Sequence, residues 1–192
     1  MAEINELNDS TSTVTNSNSA SNINLLNYKE YSKGNLTKEP NPKNESLIEK
    51  ISDTIEYIIE ENTKSKKDIN VFCTRKNPNI SLKDYLTRIQ KYTNLEDSTL
   101  IISLIYIDRV LNTTDIELNN YDIHKLVFTA IIIAIKYHED EIYNNSFYAK
   151  VGGISGKELN KLEYYFLSFI DFNLFVGADE FKNYCRYLQK ND

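Results

Sequence analysis

Cysteine is scarce in this chain: Cys73 and Cys185 are the only two in 192 residues, far apart and outside any CxxC spacing. That excludes a disulfide framework. It also excludes a zinc site of familiar spacing, since His124 and His138 fall in no ligand pattern with the cysteines. No base with an orienting group accompanies either cysteine, so neither reads as a nucleophile. Long apolar runs are missing too. The longest helical candidate, about Leu126 to Tyr137, has charged flanks and falls short of the roughly 20 residues that cross a bilayer. Excess positive charge is absent: the net charge is -6 and the pI near 5.1, which argues against a nucleic-acid or anionic-membrane surface. No Gly-rich phosphate loop, metal-ligand spacing or paired catalytic constellation is visible, so an enzyme, a cofactor and a small-molecule substrate are not expected. The first residues lack the basic-then-apolar pattern of a signal peptide, which gives the expectation of an intracellular chain. No basic cluster chooses between nucleus and cytoplasm. Strand-type alternation, a βαβ rhythm and internal repeats are also missing.

What remains is helical periodicity behind a polar tail. Residues 1–45 are rich in Asn, Ser and Thr, with isolated apolar residues and no period. Such a segment cannot bury enough surface to offset its chain entropy, so it is expected to be disordered. Pro40 and Pro42 mark the boundary of a single domain over 46–192. Leu47, Ile48, Ile51, Ile55, Ile58 and Ile59 recur at helical spacing up to about Asn62, and Val71 and Phe72 are expected to tuck back onto the core. Ser81-x-x-Asp84 reads as a capping box opening a helix through Tyr92. Further helices are expected over 96–111 and 123–137, then a short helical turn over 146–151 and a helix capped by Ser155-x-x-Glu158 that runs to about Phe172. Phe181, Tyr184, Cys185 and Leu188 trace a final amphipathic helix. The fold class is all-α, with the hydrophobic helix 123–137 at the centre and amphipathic helices around it.

The informative residues are charges at odds with that pattern. Asp108 lies on the buried face defined by Ile101, Leu104 and Leu111, where an isolated carboxylate is costly. Arg88, next to Ile89 and near a core face, is its expected partner in a structural ion pair; Arg109 is the competitor. Lys136 shares a stripe with Thr129, Ile132 and Ile133, and Glu163 shares one with Leu167 and Ile170. Two readings of that pair stay open on periodicity alone. Lys136 is either a cation satisfying a helix C-terminus, or part of an apolar groove with opposite charges at its rim, suited to a partner's amphipathic helix.

Five strings in order, "YLTRIQKYT", "SLIYIDRVL", "DIHKLVFTAIIIAIKYHED", "YAKVGGISGKELNKLEYYFLSFIDFNLFV" and "FKNYCRYL", together resemble a cyclin box. They look most like the single-box P-type or U-type cyclins of the phosphate-signalling group, over about residues 47–189. The resemblance implies a five-helix bundle around a central helix, over about 81–93, 96–112, 123–137, 145–151 and 156–172, with flanking N- and C-terminal helices. It implies a regulatory subunit, not an enzyme, which binds and activates a cyclin-dependent Ser/Thr protein kinase in phosphate signalling or cell-cycle control. Such a subunit pushes the kinase's mobile helix inward so that its Lys–Glu pair can form around ATP. By position, Arg88 and Asp108 match the family's internal ion pair. Lys136 matches the lysine that reaches the kinase helix, and Glu163 its acidic companion, with Ile132 and Leu167 as the apolar members of the same stripes. Where many cell-cycle cyclins carry an apolar substrate-docking patch, this chain has the polar residues Thr87, Gln90, Lys91 and Asn94. The competing reading is a helical adaptor or transcription scaffold with a cyclin-like fold and no kinase activation. That fold normally comes as two repeats with a basic surface, whereas this chain has one box and is acidic.

Overall fold

The computed structural model describes residues 46–62 and 70–189, so the expected tail over 1–45 lies outside the described residues. Among these, seven helices follow in order: α1 (Leu47–Asn62), α2 (Leu82–Thr93), α3 (Asp97–Thr113), α4 (Ile123–His138), α5 (Asn145–Gly152), α6 (Gly156–Phe169) and α7 (Ala178–Gln189). No strand occurs among the described residues.

Side-chain chemistry sets the ends of these helices. The Ser81 hydroxyl accepts from the Asp84 N–H at 3.0 Å, and Ser155 accepts from the Glu158 N–H at 3.1 Å, as both capping signatures require. Asn144 does the same for α5, accepting from the Phe147 N–H at 3.0 Å. Asn94 stops α2 in the left-handed region, at φ 52°. Helix α6 stops earlier than the periodicity predicts, at Phe169 instead of Phe172. Asp171 and Phe172 both turn left-handed, with φ of 50° and 55°, and the Phe172 N–H donates back to the Leu167 carbonyl at 2.9 Å. Apolar spacing cannot register such a turn, because Ile170 is buried whether or not the helix continues.

Every residue of α4 from Leu126 to Ile135 is buried, so this helix is enclosed on all sides. Helix α3 shares that role: Thr99 to Asp108 are all buried as well. The sequence suggests one central helix; the structure has two packed against each other. Their interior hydroxyls are satisfied locally, Ser103 donating to the Leu100 carbonyl at 2.6 Å and Thr129 to the Lys125 carbonyl at 2.6 Å. Each fully buried Ile, Leu or Phe removes enough apolar surface to contribute about 1.5–3 kcal/mol before conformational entropy is counted. Phe72 is fully buried with its ring edge-on to Phe166 and Phe169, so the segment after α1 does return to the core.

Two positions in this frame respond sharply to small changes. At the end of α5, a Cβ on Gly152 would meet the Phe128 ring at 2.4 Å, and Phe128 is fully buried. Gly152→Ala should therefore destabilise the fold by about 1–3 kcal/mol in urea unfolding; an unchanged midpoint would mean that Phe128 has room to yield. The second position is Asp122, fully buried just before α4. Burial pushes its carboxyl up to about 6, against hydrogen bonds from the Asn119 N–H and the Asn70 and Asn119 side chains. Folded, Asp122 takes up its proton near pH 6, against 3.8 for an unperturbed aspartate. Acidification from pH 7 to 5 thus favours the folded state at this residue by about 1 kcal/mol. Asp122→Asn abolishes that gain, so wild type should gain stability relative to the variant by this amount between pH 7 and 5. A pH-independent difference would place the carboxyl back in the ordinary range.

Candidate functional site

Helix α4 surfaces only at its ends. At the C-terminal end, Lys136 emerges one turn beyond Ile132, and its side chain is 29% exposed. Its Nζ donates to Glu163 Oε1 at 2.5 Å, and Glu163, on α6, is itself only 12% exposed. The other carboxylate oxygen of Glu163 accepts from Asn145 Nδ2 at 2.7 Å, and Asn145 also donates to Asn160 Oδ1 at 2.6 Å. One carboxylate thus ties together α4, the start of α5 and the middle of α6. A mostly buried ion pair strengthened in this way is directional and little screened by salt. A lysine ammonium has three donor hydrogens, and Glu163 takes one of them. The other two are available at a partly open rim. The flanking residues Tyr137 and Tyr164 are exposed, at 52% and 64%.

The expected contact stripes divide at this point. Leu167 is half-buried on the turn of α6 after Glu163. Ile132 is fully buried and cannot touch a partner. It shares the stripe of Lys136, but one turn earlier the helix is still inside the core.

The expected ion pair between Arg88 and Asp108 is absent from the structure. Arg88 is exposed and donates to the Lys150 carbonyl at 3.2 Å, near the C-terminal end of α5. Asp108 is buried as expected, but accepts from the Tyr184 hydroxyl of α7. Burial of Tyr184 itself and the adjacent Asp108 carboxylate push the Tyr184 hydroxyl far above its ordinary range. Arg109 faces the same side: it donates to the carbonyls of Asn173 and Phe175 and to both oxygens of Glu180. Tyr106 donates to the Leu174 carbonyl at 2.7 Å and lies 2.9 Å from His138 Nε2. Together these bonds fasten the segment after α6, and then α7, onto α3. Amphipathic spacing does reveal α7, but not which of its tyrosines would turn inward to a carboxylate.

The same residue order recurs in known proteins. The family model for cyclins matches residues 2–174. The chain belongs to the cyclin family. It is 37% identical over 145 residues to cyclin-U4-3 of Arabidopsis thaliana, covering 75% of this chain and 64% of that protein. Against cyclin-U4-1 of the same plant it is 37% identical over 146 residues, covering 76% of this chain and 72% of the relative. Cyclin-P3-1 of Oryza sativa subsp. japonica is 36% identical over 130 residues, 68% of this chain and 55% of that protein. The resemblance to P-type and U-type cyclins is therefore correct, and the all-α cyclin-box fold with it. This cyclin spans roughly two thirds or less of several of these relatives. Among its described residues no helix is long and apolar enough to cross a membrane, and neither cysteine is in a disulfide.

The corrected partner of Asp108 changes which substitutions should matter. Tyr184→Phe removes one donor from a buried carboxylate and should cost about 1–3 kcal/mol in thermal or urea unfolding. Arg88→Ala alters an exposed bond and should cost under about 1 kcal/mol. The reverse ranking would restore Arg88 as the residue that matters to Asp108.

Proposed function

We propose that this chain is a regulatory subunit that binds and activates a cyclin-dependent Ser/Thr protein kinase, in phosphate signalling or cell-cycle control. The single observation carrying the reading is the Lys136–Glu163 pair, anchored by Asn145 and bearing two unused ammonium donors at a half-open rim. Those donors suit main-chain carbonyls at the end of a partner helix, where several are left without intrahelical partners. Half-buried Leu167 and exposed Tyr137 and Tyr164 offer apolar contact on either side. The chain itself supplies no chemistry to the substrate. Its work is to hold the kinase helix in the position where the catalytic Lys–Glu pair forms. Such a partner implies a location in the nucleus or the cytoplasm.

The test is phosphorylation by a panel of purified, otherwise inactive cyclin-dependent kinases, with wild-type chain, Lys136→Ala and Glu163→Ala. Wild type should activate at least one kinase, and either substitution should weaken association by about tenfold or more, since each breaks a charge-assisted contact. The melting temperature of Lys136→Ala should stay within a few degrees of wild type. If no kinase of the panel, the organism's own included, is bound or activated, the chain is a helical adaptor and Lys136 a helix-end cation.

A further inference from the structure

One buried hydroxyl fixes the state of a histidine beside the Lys136 rim. Tyr106 is fully buried, and burial pushes its ionisation far above the ordinary range, so it keeps its proton. That single O–H faces two atoms, the Leu174 carbonyl at 2.7 Å and His138 Nε2 at 2.9 Å. A carbonyl can only accept. Were the proton given to His138, two oxygens bearing only lone pairs would face each other at 2.7 Å. The O–H therefore goes to Leu174, and His138 Nε2 carries a hydrogen that it donates to the phenol oxygen. In a neutral imidazole this leaves Nδ1 without a hydrogen, as an acceptor.

His138 lies in the last turn of α4 and is exposed. Among the described residues its ring has no other hydrogen bond and no carboxylate partner. Its surroundings are few. Helix α3 supplies Tyr106 and, over that ring at 5.7 Å, Arg109, which is itself paired with Glu180 of α7. Helix α4 supplies Tyr137, edge-on to the imidazole at 4.9 Å. Glu139, next in the chain, turns its N–H back to the Ile135 carbonyl. Successive helical residues rotate by about 100°, so Lys136, Tyr137 and His138 fan around the open end of α4. They present in turn two N–H donors, an aromatic ring and a ring-nitrogen acceptor.

Granted that a kinase docks at this end of α4, we infer that His138 Nδ1 is a second polar contact for it, accepting an N–H or O–H of the partner while the ring is neutral and losing it once the ring is protonated. Protonation turns Nδ1 from acceptor to donor, yet leaves the Nε2–H bond to Tyr106 in place. It therefore changes the docking surface without loosening the fold. Burial lowers the ring's pKa from its ordinary 6.5. The acceptor is thus the form present at neutral pH, and it is lost as the pH falls through that lowered value.

Two measurements on the full chain test this role. The chain has only two histidines, so nitrogen NMR of the imidazole rings, assigned with His138→Gln, reads the tautomer directly. At pH 7 the hydrogen of His138 should be on Nε2. The second measurement is the affinity of wild type and His138→Gln for an activated kinase at pH 7 and pH 5. Glutamine keeps an amide donor for Tyr106 and a carbonyl acceptor, but does not titrate. The two proteins should melt within a few degrees of each other and bind equally at pH 7. At pH 5 wild type should bind at least about threefold more weakly than the variant, and groups that titrate in both cancel in that ratio. A hydrogen on Nδ1 at pH 7, or a ratio near one at both pH values, overturns the role of His138 and leaves kinase binding standing. If neither protein binds any kinase at either pH, kinase binding fails and the role of His138 fails with it.

Discussion

The enclosure of α4 is the constraint from which the rest of the molecule follows. From Leu126 to Ile135 that helix has no side facing solvent, so its neighbours must surround it completely. A helix with no polar face offers no place for a binding group along its length. Function can reach it only at the two ends, and both ends carry a lysine: Lys125 in the first turn, Lys136 in the last. Each lysine is met by a glutamate of the same neighbour, Glu158 and Glu163 of α6. The two pairs pin α6 to α4 at separate points and fix both its position and its rotation. An apolar interface alone would leave that rotation less determined, because Leu, Ile and Phe contacts are non-directional.

Helix α3 carries the complementary task. Its buried stretch packs on α4, while Tyr106, Asp108 and Arg109 project polar groups toward the chain's C-terminal part. Arg109 satisfies two backbone carbonyls of the segment after α6, where the left-handed residues Asp171 and Phe172 have broken the helix. That segment would otherwise hold its carbonyls to solvent alone. Fastened in this way, it brings α7 back so that Tyr184 reaches Asp108. The polar contacts here act in series, each fixing the element that supplies the next.

This division explains what the amino-acid sequence discloses. Helix positions were legible because burial is periodic and the caps at Ser81 and Ser155 are local, involving residues three apart. The burial of Asp108 was legible for the same reason, from its spacing to Leu104 and Leu111. Its partner was not. Arg88 and Tyr184 lie on different helices, and which of them reaches Asp108 depends on the relative rotation of three helices, about which single-helix periodicity is silent. Ile132 illustrates the same limit. Stripe membership gives azimuth on the helix but not depth along it, and one turn separates a fully buried isoleucine from a lysine at the rim. Lys136 and Glu163 were brought together by family likeness before geometry; the third member of their network, Asn145, has an uncharged side chain and no signal in the pattern.

The two outlets of α4 differ in how many donors each lysine keeps after its glutamate is met. At Lys136 the charge is matched one to one within a mostly buried pair, so what is left over is direction: two N–H bonds pointing from a fixed ammonium. Recognition there would depend on the position of an acceptor and hardly on salt. At the Lys125 end the ammonium, 16% exposed, is matched by Glu158 and also donates to the Cys73 carbonyl, so less is left over. Because α6 is pinned to both ends, a ligand at one outlet acts on a helix that also forms the other. The Lys125–Glu158 pair is one of the two points that fix the rotation of α6, and Glu163 is carried on that same helix.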